Sequence, residues 1–529
     1  MLTETSNYDA LAREFRWDIP AQFNMATACC DRHADGGDRL ALILVDEDGA
    51  VRRTSFDELR RASSRFANVL KASGLARGDR VAVFLSQSLE LPIAHLAAFR
   101  AGLVSVPLFT LFGEDALQFR LANSGAKAVV TDEAGYQKLA RIRDRLPELD
   151  HVYVAGQPSA AAATSFWSSL DAASDRFETV DTSCNDPAII IYTSGTTGNP
   201  KGALHAHRVL LGHLPNVEMV HDFLPKPGDV MWTPADWAWI GGLFDALFPA
   251  WYHGVPVVGH RAKKFDPDAA MRLMADHGVR NVFLPPTALK LMRQAGARHS
   301  GVRLRSMLSG GESLGAELLD WVRATFGIDV HEIYGQTECN LVVGNNARLF
   351  PIRPGSMGKA TPGFDVRIVN DRGQELPRGE RGIIGVRQPN PCTMIEYWRN
   401  PEATAKKYAG EFLLTGDLGR QDDDGYFWYV SREDDVITSA GYRIGPSEIE
   451  DTLLKHPAVA LAAVVGIPDP IRTEAVKAWI VLRPGFAPND VLACEIQDFV
   501  KVKLDAHEYP RHVAFVDTLP MTATGKVLR

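Results

Sequence analysis

The sequence has 529 residues, which is too long for a single hydrophobic core, so we expect about two to four domains. Its net charge of −8 argues against general nucleic-acid binding, and an anionic ligand would need local positive groups. The six cysteines show no C-x-x-C spacing, no apolar run approaches the roughly 20 residues of a membrane span, and Met1 to Trp17 is too polar for a signal peptide. These features predict a cytoplasmic protein without integral membrane association.

Helix and strand signals alternate along the first part of the chain, as is typical of βαβ units built into mostly parallel sheets. A helix is predicted over Ser55 to Ser73, because Phe56, Leu59 and Phe66 fall on one face. Other helix signals lie at 18–33 and 89–101, and strand signals at 40–45, 81–84, 104–108, 128–130 and 188–192. Residues 156–186, rich in Ala, Ser and Asp, are predicted to form a variable connection.

The stretch 193–202 reads Thr-Ser-Gly-Thr-Thr-Gly-Asn-Pro-Lys-Gly, after a predicted strand and before a segment, Ala203 to Leu214, that can be helical. Glycines let backbone N–H groups turn around a phosphate, hydroxyls add donors, and Lys201 adds positive charge. The spacing differs from G-x-x-x-x-G-K-[ST], because Pro200 precedes the lysine and Gly202 follows it. The pattern favours a phosphate-binding loop, with a plain surface connection as the alternative. The candidate residues are Thr193, Ser194, Gly195, Thr196, Thr197, Gly198 and Lys201.

Predicted strands and helices alternate again after the loop. This pattern changes at two later points in the chain. Strands are predicted at 230–232, 255–258, 281–284, 305–308 and 330–334, and helices at 266–277, from 287 and at 315–326. From about Thr361 the β segments become short and Gly-bounded, at 363–369, 382–386 and 425–430, which predicts a small sheet or barrel. After Asp435, helices at 446–455 and 490–504 with strands at 459–465, 476–482 and 512–515 predict a compact α+β segment.

Two further loops follow predicted strands, where ligands bind in doubly wound sheets. The first, Ser-Gly-Gly-Glu-Ser-Leu at 309–314, could equally be a helix N-terminus opened by glycines. The second, Tyr-Gly-Gln-Thr-Glu at 334–338, carries a hydroxyl and a carboxylate, hard oxygen ligands that suit Mg²⁺. The alternative for an isolated glutamate in such a loop is a solvated acid without a metal-binding role.

These stretches resemble, in order, the signatures of AMP-forming acyl-CoA synthetases of the adenylate-forming superfamily, most closely the medium-chain branch. The matches extend from Thr193 to Lys526 and cover essentially the whole chain. The resemblance implies an N-terminal domain over 1–433, made of doubly wound βαβ sheets and a small β-rich subdomain. It also implies a small, mobile α+β C-terminal domain over 434–529 with its hinge at Asp434. The change of texture after Asp435 supports that boundary independently.

The resemblance assigns a nucleotide-binding role to each motif. Gly311, Glu312 and Ser313 would hold the adenine. In the second loop, Tyr334 would pack on adenine, Thr337 would contact phosphate and Glu338 would bind Mg²⁺, with Gly335 and Gln336 completing the motif. Asp417 would accept hydrogen bonds from two ribose hydroxyls, although an Asp in a Gly-bounded turn is usually turn chemistry. Arg432 would contact ribose and phosphate; the family usually has Gly where Ser431 stands.

The implied reaction has two steps and uses ATP, Mg²⁺ and coenzyme A. A carboxylate attacks the α-phosphate to give acyl-AMP and pyrophosphate, and the CoA thiolate then displaces AMP. The resemblance implies that Lys526 would be the catalytic lysine of the first step, with Lys201 and Glu338 at the phosphates. Arg443, in the stretch 441–450, would contact adenylate or CoA phosphate once the C-terminal domain rotates; by itself it would more often be a surface charge beside a helix.

The acid is harder to predict. The aromatic stretch 232–243 should line the acyl pocket, which implies roles for Trp237, Gly242 and Gly335, with core packing as the alternative for the tryptophan. Acetate-specific relatives carry a pocket-blocking tryptophan at the position of Gly335, so a short-to-medium-chain, branched or aryl acid is expected here. The alternatives are an acyl- or aminoacyl-adenylating ligase that delivers to a carrier protein, where Asp236 could bind an amine, and a non-catalytic nucleotide-binding protein. The sequence carries no signal of oligomeric state.

Overall fold

The computed structural model describes residues 1–160, 162–193, 200–262, 264–311, 314–432, 435, 437–439, 442–469, 473–503, 509–521 and 527. The chain divides into two compact units. The first comprises Met1–Arg353, Gly358–Asp365 and Gln388–Lys407, and the second comprises Pro354–Met357, Val366–Arg387 and Tyr408–Arg529. Asp434 lies outside the described residues, so the boundary and hinge predicted there stay predictions.

The strands, in chain order, are β1 Leu40–Val45, β2 Val51–Ser55, β3 Arg80–Phe84, β4 Val104–Pro107, β5 Ala126–Thr131, β6 His151–Val154, β7 Thr164–Ser165, β8 Pro187–Tyr192, β9 Gly202–Ala206, β10 Met231–Trp232, β11 Val257–His260, β12 Asn281–Phe283, β13 Ser306–Gly310, β14 Val330–Tyr334, β15 Val343–Gly344, β16 Lys359–Ala360, β17 Val366–Val369, β18 Arg381–Arg387, β19 Glu396–Tyr397, β20 Tyr408–Ala409, β21 Phe412–Gln421, β22 Phe427–Arg432, β23 Ile437–Ser439, β24 Tyr442–Ile444, β25 Val459–Asp469, β26 Thr473–Leu482 and β27 His512–Phe515.

The helices are α1 Tyr8–Glu14, α2 Met25–Cys29, α3 Phe56–Ala72, α4 Glu90–Arg100, α5 Glu114–Ser124, α6 Glu133–Ala140, α7 Phe166–Asp171, α8 Val209–Val220, α9 Ile240–Gly242, α10 Phe248–Tyr252, α11 Pro267–Asp276, α12 Pro286–Ala295, α13 Ala316–Phe326, α14 Pro401–Ala405, α15 Pro446–Leu453 and α16 Asp490–Lys503. A π-helical segment, Leu243–Leu247, joins α9 to α10. Among the described residues, no helix combines the length and apolar character needed to cross a membrane.

The described part of the first unit contains two large β-sheets. One has nine strands in the order β16-β15-β14-β13-β12-β10-β11-β1-β2 and is parallel from β14 to β1. The other has eight strands in the order β19-β9-β8-β4-β3-β5-β6-β7 and is parallel from β8 to β7. Antiparallel strands occur only at the ends of these two described sheets, where β2, β15, β16, β9 and β19 pair.

Strand alternation places each sheet between two layers of helices. In β3, Val81 and Val83 enter the core shared with α3, α4 and α8, whereas Phe84 enters the core formed with α5 and α6. In β1, Leu42 faces the shared core and Ile43 faces the core that contains α11, α12 and α13. Both faces of each sheet are therefore buried, which explains the near-continuous apolar runs of these strands. The prediction of doubly wound α/β sheets is confirmed.

The second unit contains two smaller sheets. Within its described residues, β17-β18-β21-β20 form an antiparallel sheet to which β22 adds on β21. The other sheet has the order β24-β23-β26-β25, with β27 parallel to β26. Helices α15 and α16 cover it through a core that includes Ile449, Leu453, Ile496 and Val500. The β-rich subdomain and the small α+β C-terminal segment are therefore both present; the mobility predicted for the latter stays a prediction.

Several predicted elements are corrected. Residues 203–206 were expected to start a helix but form β9, which pairs antiparallel with β8, and the helix begins only at Val209. The phosphate-loop candidate therefore joins the two strands of a hairpin. Residues 156–186 are more than a connection, because they contain β7 and α7. The long strand β21 was missed, since its glycines and polar residues hide the alternation.

Candidate active site

The carboxyl ends of β13 and β14 bring two of the predicted motifs to one edge of the nine-stranded sheet. Gly310 pairs with Ile333 in this parallel register, so Gly311 and Tyr334 emerge side by side. Gly311 adopts a φ of +101°, which a residue with a side chain rarely adopts. Tyr334 is 9% exposed. The other predicted adenine-binding residues, Glu312 and Ser313, lie outside the described residues.

The lysine of the first motif stands at the base of the β8–β9 hairpin. The Thr193 N–H donates to the Lys201 carbonyl at 2.9 Å, and the Thr193 hydroxyl also donates to it at 3.3 Å. These bonds fix where the connecting segment leaves and rejoins the sheet. Lys201 itself is half-buried. The remaining predicted loop residues, Ser194, Gly195, Thr196, Thr197 and Gly198, lie outside the described residues.

Tyr397 joins the lysine of the first motif to the acid of the second. Lys201 Nζ lies 5.4 Å from the centroid of the Tyr397 ring, a cation–π distance. The Tyr397 hydroxyl donates a short hydrogen bond to Glu338 Oε1. Tyr397 is held there because β19 pairs with β9, opposite Ala203. Two motifs that are 137 residues apart in sequence, at 201 and 338, therefore meet on one aromatic side chain.

The turn that carries Thr337 and Glu338 is held from several sides. His205 Nε2 donates to the Thr337 carbonyl at 2.8 Å, and the Met394 N–H donates to the Glu338 carbonyl at 2.9 Å. Lys407 Nζ donates to Gln336 Oε1 at 3.0 Å. Burial lowers the pKa of His205 to about 4, so its imidazole is neutral near pH 7, and Nε2 must carry the proton to donate. The turn is thus a fixed platform for its carboxylate and hydroxyl.

The donor set fits a magnesium ion shared with a substrate. Glu338 is only 8% exposed, and its carboxylate oxygens are hard ligands. Within the described parts of the chain, no group of three or more His, Cys, Asp or Glu side chains could hold a metal ion by itself. A single carboxylate that works together with phosphate oxygens is the arrangement in which proteins commonly hold Mg²⁺.

The predicted ribose-binding residues lie opposite each other in the second unit. Asp417 of β21 pairs with Arg432 of β22. Gly416, at a φ of +77°, precedes Asp417, whose N–H donates to the Thr415 hydroxyl at 3.1 Å. The hydroxyl of Ser431 is buried and has no hydrogen-bond partner among the described residues.

Arg443 lies in β24, where its backbone pairs with Thr438. The predicted catalytic lysine, Lys526, lies outside the described residues.

The residues predicted for the acyl pocket lie in tightly packed surroundings. Trp237 is fully buried in the shared core, and a Cβ built on Gly259 would lie 3.0 Å from its ring. A Cβ on Gly242 would lie 2.3 Å from the Asp236 carbonyl oxygen, and one on Gly335 only 2.1 Å from the Leu341 nitrogen. Both glycines are therefore required by backbone contacts. The assignment of Trp237, Gly242 and Gly335 to a pocket stays a prediction.

Asp236, the candidate amine-binding residue, closes a local turn. Its Oδ1 accepts the Ala238 N–H at 2.7 Å, and burial raises the pKa of its carboxyl to about 6. The hydrogen bond to Ala238 gives Asp236 a structural role that needs no bound ligand.

Two family models match this chain. The profile described as "AMP-binding enzyme" matches residues 30–398, and the one described as "AMP-binding enzyme C-terminal domain" matches residues 448–526. The chain belongs to the AMP-binding enzyme family. Mouse mitochondrial acyl-coenzyme A synthetase ACSM3 is 36% identical over 538 residues, covering 99% of this chain and 92% of its own. Acetyl-coenzyme A synthetase from Bacillus subtilis is 37% identical over 545 residues, covering 99% and 94%.

The solved structures give the same result for the fold. The anthranilate CoA ligase AuaEII, in complex with anthranoyl-AMP, aligns with a TM-score of 0.87 at 29% identity, covering 97% of this chain and 96% of its own. Members of the acyl-CoA synthetase branch of the AMP-binding family use ATP and CoA, and this chain is an AMP-forming acid–CoA ligase that works through an acyl adenylate.

Sequence reasoning did not single out Tyr397 or His205. Tyr397 lies in a short strand beside Trp398, a local signal that predicts only packing. Its partner Glu338 is 59 residues away in sequence. His205 lies in a strand that was predicted as helix, so its side chain was not expected to face Thr337. In both cases the contact with the predicted site residue is nonlocal in this AMP-binding enzyme.

Proposed function

We propose that this protein is an ATP-dependent carboxylate–CoA ligase for a short-to-medium-chain, branched or aryl acid, in which Lys201, Glu338 and Lys526 act in the adenylation step. The observation that carries the proposal is the Tyr397 junction. It places a fixed positive charge and a buried carboxylate around one ring, at the base of the predicted phosphate hairpin. Such a pair suits a triphosphate with its metal ion, since one group binds phosphate oxygens and the other binds the cation.

In the first step a carboxylate oxygen of the acid attacks the α-phosphorus of ATP. The bond between the α-phosphorus and its bridging oxygen breaks, and pyrophosphate leaves. Lys201 and the hydroxyl loop hold the β- and γ-phosphates, while Lys526 contacts the attacking carboxylate and the α-phosphate. Glu338 would hold Mg²⁺ together with the phosphate oxygens, and the ion would supply neutralisation of the phosphate charge. Positioning and electrostatic stabilisation account for such a reaction, because the protein itself forms no covalent bond.

The remaining motifs carry the other proposed nucleotide-binding roles. The paired strand ends at Gly311 and Tyr334 receive the adenine. In the second unit, the carboxylate of Asp417 accepts from the ribose hydroxyls, and the neighbouring Arg432 contacts ribose and phosphate.

In the second step the CoA thiolate attacks the acyl carbonyl carbon, the bond between acyl carbon and phosphate oxygen breaks, and AMP leaves. We propose that rotation about Asp434 exchanges Lys526 for Arg443 between the steps. Such hinge motions complete a second site by moving a small domain.

The preference for an acid larger than acetate is supported by Gly335, which lacks the side chain that blocks the pocket of acetate-specific relatives. The names of similar proteins cover both possibilities, because they include an acetyl-coenzyme A synthetase and ligases for anthranilate and benzoate. Acetate is therefore the decisive comparison.

The test is a panel of acetate, isobutyrate, hexanoate and benzoate, scored by CoA-dependent formation of AMP without any carrier protein. We expect kcat/KM to be highest for one of the three larger acids. The highest value for acetate would contradict the proposed substrate class. AMP release that needs a carrier protein instead of CoA would contradict the ligase assignment.

We also propose a cytoplasmic location. The six cysteines are all free thiols and five of them are buried, which suits a reducing compartment.

A further inference from the structure

The turn between β14 and β15 adopts a backbone that needs external support. Leu341 has a φ of +60°, the left-handed region that a bulky side chain rarely adopts, and its side chain is fully buried. Its nitrogen also packs against Gly335 so closely that no Cβ would fit. Such a conformation persists only where the surroundings over-determine it. The same turn carries Thr337 and Glu338.

Asn340, immediately before Leu341, forms hydrogen bonds through its side-chain amide and through its backbone carbonyl. Its Nδ2 donates to Asp245 Oδ1 at 2.6 Å and lies 3.1 Å from His213 Nε2. His213 Nδ1 lies 2.7 Å from the Val209 carbonyl oxygen and donates to it, so Nε2 is the acceptor for the second amide hydrogen. The Cys392 thiol donates to the backbone carbonyl of Asn340 at 2.8 Å. Three distant segments therefore converge on one asparagine.

The four side chains of this asparagine clamp, His213, Asp245, Asn340 and Cys392, are all buried, with exposures between 0% and 6%. Burial lowers the pKa of His213 to about 3 and raises the pKa of the Cys392 thiol and of the Asp245 carboxyl well above their ordinary values. The imidazole is therefore a neutral acceptor and the thiol a neutral donor. In this dry environment hydrogen bonds are strong, and a lost partner costs more than at the surface.

We propose that Asn340 is a positioning residue for the metal–phosphate site, which fixes Thr337 and Glu338 by anchoring their turn to Asp245 and His213. The inference rests on the proposed role of Glu338. A purely structural cluster would stabilise the fold without affecting how the turn presents its carboxylate. The two roles can be separated because the turn's own amides report on it: the Cys339 N–H donates to Gln336 and the Val342 N–H donates to Tyr334.

The central variant is Asn340→Asp, which removes both amide hydrogens and so deletes the donor that His213 Nε2 accepts. We expect hydrogen exchange of a peptide covering 335–345 in the ligand-free protein to accelerate about tenfold or more, as expected for a lost buried hydrogen bond. In calorimetric titrations of ATP without acid, the half-saturating Mg²⁺ concentration should rise by a similar factor. The double variant Asn340→Asp/Asp245→Asn restores a donor–acceptor pair and should recover most of both effects.

The matched control is Asn24→Asp, a buried asparagine whose amide donates to the Phe99 carbonyl and the Thr182 hydroxyl. It should lower stability and leave both readouts unchanged. If Asn340→Asp lowers stability only, as this control does, the inference is wrong. Should Asn340→Asp fail to fold, Cys392→Ala removes one donor and should move both readouts in the same direction, and no change in either would overturn the inference.

Glu338→Gln separates this inference from the proposed function. We expect it to raise the half-saturating Mg²⁺ concentration without accelerating exchange in the turn. An unchanged Mg²⁺ requirement in Glu338→Gln would refute the proposed role of Glu338, and the positioning role with it. A changed requirement there with an unchanged one in Asn340→Asp would refute the positioning role alone.

Discussion

Removing one hydroxyl from the junction at the centre of the site gives the sharpest test of it. Tyr397→Phe keeps the ring beside Lys201 and deletes the donor to Glu338 Oε1. Tyr397 is 2% exposed and Glu338 8%, so water does not readily replace the lost donor. A hydrogen bond to a charged group in such a setting contributes about 1.5–3 kcal/mol. That range corresponds to a roughly 10- to 150-fold effect.

We expect the loss to appear in the use of Mg·ATP, because Glu338 then has to be oriented when the nucleotide binds. The assay is ATP–pyrophosphate exchange at saturating acid, in which kcat/KM for ATP should fall about 10-fold or more. Tyr153→Phe is the matched control, since it removes a buried hydroxyl that bonds Ser73 Oγ at 2.7 Å elsewhere in the same unit. If Tyr397→Phe lost stability as Tyr153→Phe does but kept kcat/KM for ATP within about twofold, the junction would be structural only.

Three further outcomes are expected. Lys526→Ala should abolish acyl-AMP formation but retain thioester synthesis from preformed acyl-AMP, and equal loss of both half-reactions would show that the lysine serves both. Gly335→Ala should destabilise the fold by about 1–3 kcal/mol in urea unfolding and lower activity by the same factor for every acid, because the added Cβ meets the Leu341 backbone; a change of acid preference alone would contradict this. Burial lowers the pKa of His95 to about 3, against about 6.5 unfolded, so the unfolded state binds the proton more readily and stability falls as the pH drops below about 6.5. The slope from this group approaches about 1.4 kcal/mol per pH unit only well below pH 6.5, and it integrates to about 1.4 kcal/mol in total between pH 7.5 and 5.5. His95→Gln should therefore lose about 1.4 kcal/mol less than the parent over that range, and equal losses would refute the assignment.

The parallel sheets could be predicted from the sequence because their strands are local signals. Runs such as β3 and β8 are apolar throughout, as strands buried on both faces must be, and the helices between them show one apolar face. The hairpin strand β9 was not predicted, because its apolar residues and histidines are equally compatible with a helix when only the local sequence is considered. What decides its state is pairing with β8 and β19, and that pairing is formed by distant residues.

The candidate site shows the same division between local and nonlocal information. Lys201 and Glu338 could be named because their motifs give the chemistry in a few consecutive residues. Tyr397 and Asn340 could not be named from the sequence, because the roles proposed for them depend on hydrogen bonds to side chains that are distant in the chain. Hydroxyl, amide and thiol groups in apolar surroundings give no periodic signal, and their partners come from segments tens of residues away.

Gly335 shows how the structure changes the meaning of a sequence observation. In the sequence, the absence of a side chain at Gly335 indicates an open acyl pocket. In the structure, the glycine is required by the approach of the Leu341 nitrogen, whatever the acid. The two explanations are compatible only if the path of the turn and the size of the pocket change together. A Cβ 2.1 Å from a backbone nitrogen cannot be accommodated by rotating a side chain, so any larger residue at position 335 would require the turn itself to move. The clamp on Asn340 holds the same turn, so the contact that makes this glycine necessary and the backbone that carries Glu338 belong to one supported conformation.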